Sequence, residues 1–555
     1  MNKDKLKPML FSVMKSYSKG QFIKDIISGI IVAIIALPLS IALALASGVG
    51  PEEGIYTAII AGFLISFLGG SRVQIAGPTA AFATIVAGIV AENGMGGLAC
   101  ATIFAGLLLI LMGVLRLGRL IKFIPYTITT GFTAGIAVTI AIGQIKDFLG
   151  LSFPAGTPTI ETVDKVKAVA GSISTINYEA LIVGAVCLAV LILWPLIPKI
   201  GDKIPGSLIA VFVGIGMVKG LGMHVNTIGD LYSISNKLPE FRLPSFSTDD
   251  IRSVLSNGFT IAVLAAIESL LSCVVSDSMI NSHHRSNQEL IAQGVGNIGS
   301  ALFGGIPATG AIARTAANIK NGGRTPIAGI VHSIVLVLVL VILMPYAALI
   351  PMPTIAAILF IVAYNMCGWR TFVHLTKTAP KSDIIVLFVS FALTVCFDLV
   401  VAIGGGMVLA CVLLMKRMSE ESEVKGWTYF DPETDPDNIE LRKVPREVRV
   451  YEISGPMFFG AADRIAEITL KKFTKCLVIR MRGVPALDAT AMHSLELLHE
   501  KCTDMDVAIV FSHVNEQPMR TMEKDGFIEK VGKENFCPHI DDALLRASYY
   551  VQSGK

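Results

Sequence analysis

Gly304-Gly305-Ile306-Pro307-Ala308-Thr309-Gly310-Ala311-Ile312-Ala313-Arg314 is a short apolar stretch that opens on glycines and a proline. A second stretch of the same kind, Gly77-Pro78-Thr79-Ala80-Ala81-Phe82, lies 229 residues earlier, proline to proline. Proline has no N–H and is favoured in the first turn of a helix. The helices that start here, Thr79–Val90 and Thr309–Ile319, are about half the ~20 residues that cross a bilayer. Short segments interrupted by Gly and Pro, at matching places in two halves of a chain, point to a transporter site.

The surroundings fit a membrane protein. The 555 residues are 53% hydrophobic and 16% charged, against about a quarter charged in soluble domains. Mean hydropathy is +0.66. The chain is apolar from Ile26 to Met415 and ordinary from Lys416 onward, so two domains of different class are expected. Long spans are expected at Ile26–Ala46, Ile55–Leu68, Leu98–Leu115, Thr127–Ile145, Ala180–Ile197, Phe259–Ser276, Ile327–Met344, Ile384–Leu399 and Val400–Met415. Shorter ones fall at Thr79–Val90, Ser207–Val218, Ile291–Phe303, Thr309–Ile319 and Thr354–Ala363, giving about fourteen in all. Lys3, Lys5, Lys7, Lys15, Lys19 and Lys24 precede the first span, and Lys416 and Arg417 follow the last. Both ends are therefore expected in the cytosol, with the loop Gly150–Tyr178 outside.

The spacing repeats. Pro38 to Pro78 is 40 residues, and Glu268 to Pro307 is 39. A long span thus precedes a half-length one at nearly the same distance twice, which supports an inverted repeat.

A helix start exposes unpaired N–H groups and about half a positive charge. Two such starts facing each other make an anion site without a buried lysine. The expected contacts are Gly77, Thr79, Ala80 and Phe82 on one side, and Thr309, Gly310 and Ala311 on the other. Both threonines add hydroxyl donors, and Gly310 lets an anion approach the backbone. Arg314 adds positive field or pairs with Glu268. Glu268 lies mid-span, where a carboxylate needs a cavity or a partner. Burial favours its neutral form, which makes it a candidate proton carrier. With Ser272 one turn on, it can instead help to hold Na⁺. Lys320 to Arg324, and His283, His284 and Arg285, read as solvated connections.

A net charge of +3 gives no reason to expect nucleic acid as a partner. The nine cysteines form no CxxC pair, so no metal site or disulfide framework is expected. No cofactor and no enzymatic activity is expected.

Three stretches taken together resemble the SulP family of sulfate permease-like anion transporters. They are Gly69-Gly70-Ser71-Arg72-Val73-Gln74-Ile75-Ala76-Gly77-Pro78-Thr79-Ala80, Ile267-Glu268-Ser269-Leu270-Leu271-Ser272, and Gly304 to Arg314. The resemblance implies a polytopic α-helical protein of fourteen segments in a seven-plus-seven inverted repeat. It implies a core domain moving like an elevator against a gate domain, and a homodimer in the bacterial inner membrane. It places the anion between the segments that start at Pro78 and Pro307, with Glu268 and Ser272 at the acidic and hydroxyl positions of the eighth segment. One departure is Pro38-Leu39-Ser40, where many members carry Pro-Gln with the glutamine facing substrate. Glu268, where sodium-coupled bicarbonate members tend to have Asp, resembles proton-coupled carriers of sulfate or dicarboxylates. Other readings are a Na⁺-coupled bicarbonate transporter, a nucleobase carrier of similar fold, a channel, or an anion sensor without flux.

The expected domains are a cytosolic segment at 1–25, a transport domain at 26–417, a linker at 418–439 and a soluble domain at 440–555. In the last, Val448–Ile453, Cys476–Met481 and Val507–Phe511 read as strands, and Ala461–Phe473, Ala489–Lys501 and Ile540–Val551 as helices. This small α/β layer resembles a STAS domain. Asp488 is expected to cap the second helix. Thr490 stands where related anti-sigma antagonists are phosphorylated.

Overall fold

The structure is a computed structural model that describes residues 6–118, 124–154, 157–158, 161–197, 205–244, 251–397, 399–426, 444–460, 462–466 and 468–553. They fall into two compact units, Met1–Met407 and Val408–Lys555.

The first half of the apolar region forms α1 (Lys19–Ala46), α2 (Pro51–Leu68), the two-residue strand β1 (Ala76–Gly77), α3 (Ala80–Val114), α4 (Tyr126–Leu149), α5 (Tyr178–Leu193) and α6 (Gly206–Leu221). The second half forms α7 (Ile251–Ile280), α8 (Ser286–Leu302), β2 (Thr309–Gly310), α9 (Ile312–Lys320), α10 (Ile327–Ala347), α11 (Met352–Cys367), α12 (Lys381–Cys396) and α13 (Leu399–Glu420). At Gly94 the backbone has φ 65° and ψ −175°, so α3 is two helices joined at a kink that glycine adopts without strain. Counting both halves of α3, each half of the chain supplies seven segments. All fourteen expected segments correspond to helices. Nine of the described helices are long and apolar enough to cross a bilayer.

Packing sorts the helices into two groups. In one, α3 lies on α7 and α8, α2 on α8 and α10, and α1 on α10; in the other, α4 lies on α11 and α12, and α5 on α6 and α11. The first group contains both short strands and the starts of α3 and α9. Its helices approach closely at glycine. A Cβ on Gly294 of α8 would stand 2.4 Å from the Gly106 carbonyl of α3, and one on Gly106 would stand 2.7 Å from the Gly294 carbonyl. Small residues allow this backbone contact where hydrocarbon offers no hydrophobic drive.

The polar connection at His283, His284 and Arg285 differs from the solvated reading. His284 is half-buried, and its Nδ1 lies 2.8 Å from Asp277. Arg285 donates to the Lys7 carbonyl and to Ser12, fastening the N-terminal segment. Short-range charge pattern does not reveal such long-range partners.

The second unit carries a five-stranded sheet in the order β3 (Glu423–Gly426), β4 (Val448–Ser454), β5 (Cys476–Gly483), β6 (Ala508–Ser512) and β7 (Phe536–Cys537). Only the β3–β4 pair is antiparallel. Alternate residues face opposite layers. Leu477 and Ile479 pack with Leu495 and Leu498 of α14 (Ala489–Asp504), while Val478 and Val510 pack with Ile540 and Ala543 of α16. The intervening α15 spans Glu516–Asp525, and α16 spans Ile540–Ser553. Asp488 caps α14, accepting from the Ala491 N–H at 2.9 Å and from the Phe459 N–H at 2.9 Å.

The expected helix Ala461–Phe473 is corrected to one turn, Asp463–Ala466, with Ala461 and Glu467 outside the described residues. Lys501 donates to the Ile468 carbonyl and the Thr469 N–H donates to Tyr451, so tertiary partners occupy the groups that a helix would need. Residues 427–439 of the expected linker, 440–443 of the expected soluble domain, and Lys3 and Lys5 also lie outside the described residues.

Gly294→Leu should force α3 and α8 apart and cost about 1–3 kcal/mol. A lowered melting temperature in detergent checks this, and an unchanged one contradicts the close contact. Asp488→Ala should cost the soluble unit about 1 kcal/mol through loss of its cap, read as earlier loss of hydrogen-exchange protection in residues 489–504 of the full chain.

Candidate functional site

The two helix starts meet because β1 and β2 pair antiparallel, with Ala76 opposite Gly310 and Gly77 opposite Thr309. The Ala311 N–H adds a bond to the Ile75 carbonyl at 2.9 Å. Buried side chains hold the loops that lead into this crossing. Glu289 of α8, fully buried, accepts from the N–H groups of Gly70 at 2.8 Å and Ser71 at 3.1 Å, and from the amides of Gln74 and Gln293, both at 2.9 Å. Asn297 exchanges two 2.9 Å bonds with the Ala308 backbone, as a neighbouring strand would. Thr57 of α2 accepts the Ile306 N–H at 2.7 Å. From α9, Thr315 accepts the Ile75 N–H at 3.1 Å and Asn318 donates to the Val73 carbonyl at 2.8 Å.

Thr79 is the N-cap of α3; its hydroxyl accepts the Ala81 N–H at 3.3 Å and donates to Glu268 Oε2 at 3.1 Å. The structure thus joins two residues that the sequence placed 189 positions apart. Ala80 and Phe82 are buried at the same helix start, with the Phe82 N–H bonded to the Thr79 carbonyl. Glu268 is half-buried, while Ser272 is buried with no partner for its hydroxyl among the described residues.

Arg314 is 1% exposed. Its Nη2 donates to Ser40 at 3.2 Å and to the Pro78 carbonyl at 3.3 Å, while Nε and Nη1 have no partner among the described residues. A Cβ at Gly77 would stand 2.4 Å from Nη1, so glycine there makes room for the guanidinium. Among the described residues no carboxylate pairs with Arg314, and in particular Glu268 does not. A buried guanidinium without a counter-ion beside two helix starts is suited to take an anion.

Three expectations about the second helix start are corrected. The Thr309 hydroxyl donates to the Ala265 carbonyl at 3.2 Å, so its proton is spent on α7. Gly310 is buried, and a Cβ there would stand 2.0 Å from the Gln74 amide, so the glycine admits Gln74. The Ala311 N–H is used in the crossing. The open edge of α9 therefore lies one to two residues later, at exposed Ile312 and Ala313, whose first-turn N–H groups have no partner within the helix.

Sequence reading missed Glu289, Gln74, Asn297, Ser40 and His332. The expected span began at Ile291, two residues after Glu289, so the rule that flagged Glu268 never reached it. Ser40 adjoins the half-buried Leu39. His332 of α10 is fully buried, and among the described residues both ring nitrogens lack partners.

Residues 22–390 match the sulfate permease family, and residues 438–543 match the STAS domain. The chain belongs to the sulfate permease family. It is 37% identical to "Putative sulfate transporter YvdB" of Bacillus subtilis, over 95% of this chain and 98% of that protein. It is 32% identical to the bicarbonate transporter BicA of Picosynechococcus, over 94% of each chain. The solved transmembrane domain of a cyanobacterial BicA is 28% identical and covers 71% of this chain and 98% of its own length, with a TM-score of 0.62. The murine Solute Carrier 26 family member A9 anion transporter in its inward-facing state covers 98% of this chain and 94% of its own, at 20% identity and a TM-score of 0.88. That likeness shows the shared fold. The protein is thus a multi-pass anion transporter of this family with a STAS domain.

In the STAS domain Thr490 is exposed in the first turn of α14. Burial pushes the Cys476 thiol up to about 12 and Cys502 to about 11, so neither is a thiolate nucleophile at neutral pH.

Glu289→Ala leaves the buried donors of Gly70, Ser71, Gln74 and Gln293 unpaired and should cost about 3–5 kcal/mol, with Glu289→Gln less severe. Thermal melts of the purified variants check this. Equal melting of Glu289→Ala and the parent protein would remove Glu289 from its role as the clamp.

Proposed function

We propose that the protein is a secondary active transporter of a small divalent anion, sulfate or a dicarboxylate, driven by protons and working by an elevator-like motion of one helix group against the other. The observation that carries this reading is the bond from Thr79 to Glu268, one residue after Pro78, whose carbonyl accepts from Arg314. Thr79, the cap of α3, stands at the helix start where the anion binds. An ionised Glu268 next to that start opposes a second negative charge. A protonated Glu268 does not, and it can still accept the Thr79 hydroxyl bond. Anion and proton therefore bind more tightly together than apart, which is the thermodynamic requirement for symport. Arg314 and the first-turn N–H groups of α3 and α9 supply the positive field. Gly77 makes room for that arginine. The identity with YvdB over nearly the whole of both chains supports sulfate.

A second reading is Na⁺-coupled bicarbonate transport, favoured by the BicA relatives and by the unpartnered Ser272 hydroxyl on the helix of Glu268. We further propose a homodimer in the bacterial inner membrane with both termini in the cytosol, as the lysines ahead of Ile26 and the pair Lys416 and Arg417 near the end of α13 favour. The domain limits 1–25, 26–417, 418–439 and 440–555 are part of the same proposal. Thr490 is proposed as a phosphorylation site of the STAS domain.

Radiolabelled sulfate uptake into proteoliposomes should rise several-fold under an inward proton gradient and be indifferent to Na⁺. In Glu268→Gln the gradient should lose at least tenfold of its effect while sulfate exchange persists. Uptake in that variant with an unaltered response to the gradient would refute the role of Glu268. Uptake of bicarbonate that requires Na⁺ would favour the second reading.

A further inference from the structure

A cleft of 380 Å³ lies between the second half of α3, α7 and α13, with Met112, Val263, Ile267, Ile403 and Met407 among its walls. Thr260 brings the one lining hydroxyl, and it already donates to the Ser256 carbonyl at 3.0 Å. Ordered water or an anion needs polar partners, and among the described residues these walls offer no unspent donor. The helices around the cleft are membrane-spanning, and Phe259 at its rim is 53% exposed. The medium that reaches such a face is hydrocarbon. Gly404 of α13 also lines the cleft, and a Cβ built on it meets nothing within 4 Å.

Position gives the cleft its interest. Ile267 and Leu270 of α7 line it, and between them Glu268 points the other way to Thr79. The opposite wall, α13, touches the other helix group. A Cβ on Gly406 would stand 2.5 Å from Ser390 of α12 and 3.6 Å from Ile128 of α4. The cleft therefore separates the helix that bears Glu268 from a helix fastened to the second group.

We propose that this cleft holds one acyl chain of a bilayer phospholipid, wedged between α7 and α13 where the two helix groups move past each other. The chain fills space that no side chain fills, and a change in its length or bulk alters the contact across which α7 slides. Gly404 is the entry point, because a side chain there projects into the cleft without meeting the protein.

Native mass spectrometry of the full chain, released from nanodiscs of defined phospholipid, tests the occupant. The parent protein should retain a phospholipid, and Gly404→Leu should lower that retention at least fivefold. Val263→Phe, which fills the cleft from the α7 side, should do the same. Equal retention in both folded variants, or capture of free fatty acid in place of phospholipid, overturns the proposal. A second readout rests on the transport reading above. Sulfate uptake by the parent protein should depend on acyl-chain length, and Gly404→Leu should be indifferent to it. Parent uptake with the same chain-length dependence in Gly404→Leu overturns the wedge. Absence of any sulfate uptake by the parent protein would sink the transport reading and leave the lipid count to decide the cleft.

Discussion

Everything at the site depends on two residues of β1 pairing with two of β2. A half-length helix leaves the N–H groups of its first turn without partners, and in hydrocarbon each such group is costly unless it lies within the protein or beside a ligand. The crossing of Ala76–Gly77 with Thr309–Gly310 ties two such starts together, with Ala80 of one buried and Ile312 and Ala313 of the other exposed. So short a ladder cannot hold itself together. Glu289, Asn297, Thr57, Thr315 and Asn318 carry the loops on either side of it, each by bonds to backbone groups that the strands leave unpaired. The crossing is in effect a sheet whose outer strands have been replaced by side chains.

Two carboxylates of the membrane unit show how environment divides the labour. Glu289 accepts four bonds from N–H donors, which satisfies both of its oxygens and fixes the backbone before β1. Glu268 is half-buried and receives one hydroxyl bond, from the residue that caps α3. A saturated carboxylate is a strut. One with spare capacity at the cap of a helix start can change its protonation as its surroundings change. Arg314 completes the contrast, because a cation buried with two free N–H edges is stable only with an anion or water at those edges.

Much of this was legible in the sequence because hydropathy and Gly-Pro punctuation are local signals. The fourteen segments, the pairing of Pro78 with Pro307 and the choice of Glu268 all came from patterns within a few residues. The details of the second helix start were not legible. Thr309 and Gly310 looked like ligand contacts by analogy with Thr79 and Ala80, yet one bonds Ala265 and the other makes way for Gln74. Those partners lie dozens to hundreds of residues away, and no periodicity reports them. The soluble domain repeats the lesson. Short apolar runs such as Cys476–Met481 were readable as strands between helices, while the run after Ala461 lost its helix to Tyr451 and Lys501.

The account turns on where the anion sits. A density map of the full-length protein with selenate, compared with one recorded without it, tests that most directly. The predicted result is a heavy-atom peak between the starts of α3 and α9, within hydrogen-bonding distance of Arg314 and in the same pocket as Thr79. A selenate peak elsewhere in the membrane unit, with Arg314 still unpartnered, would contradict the account.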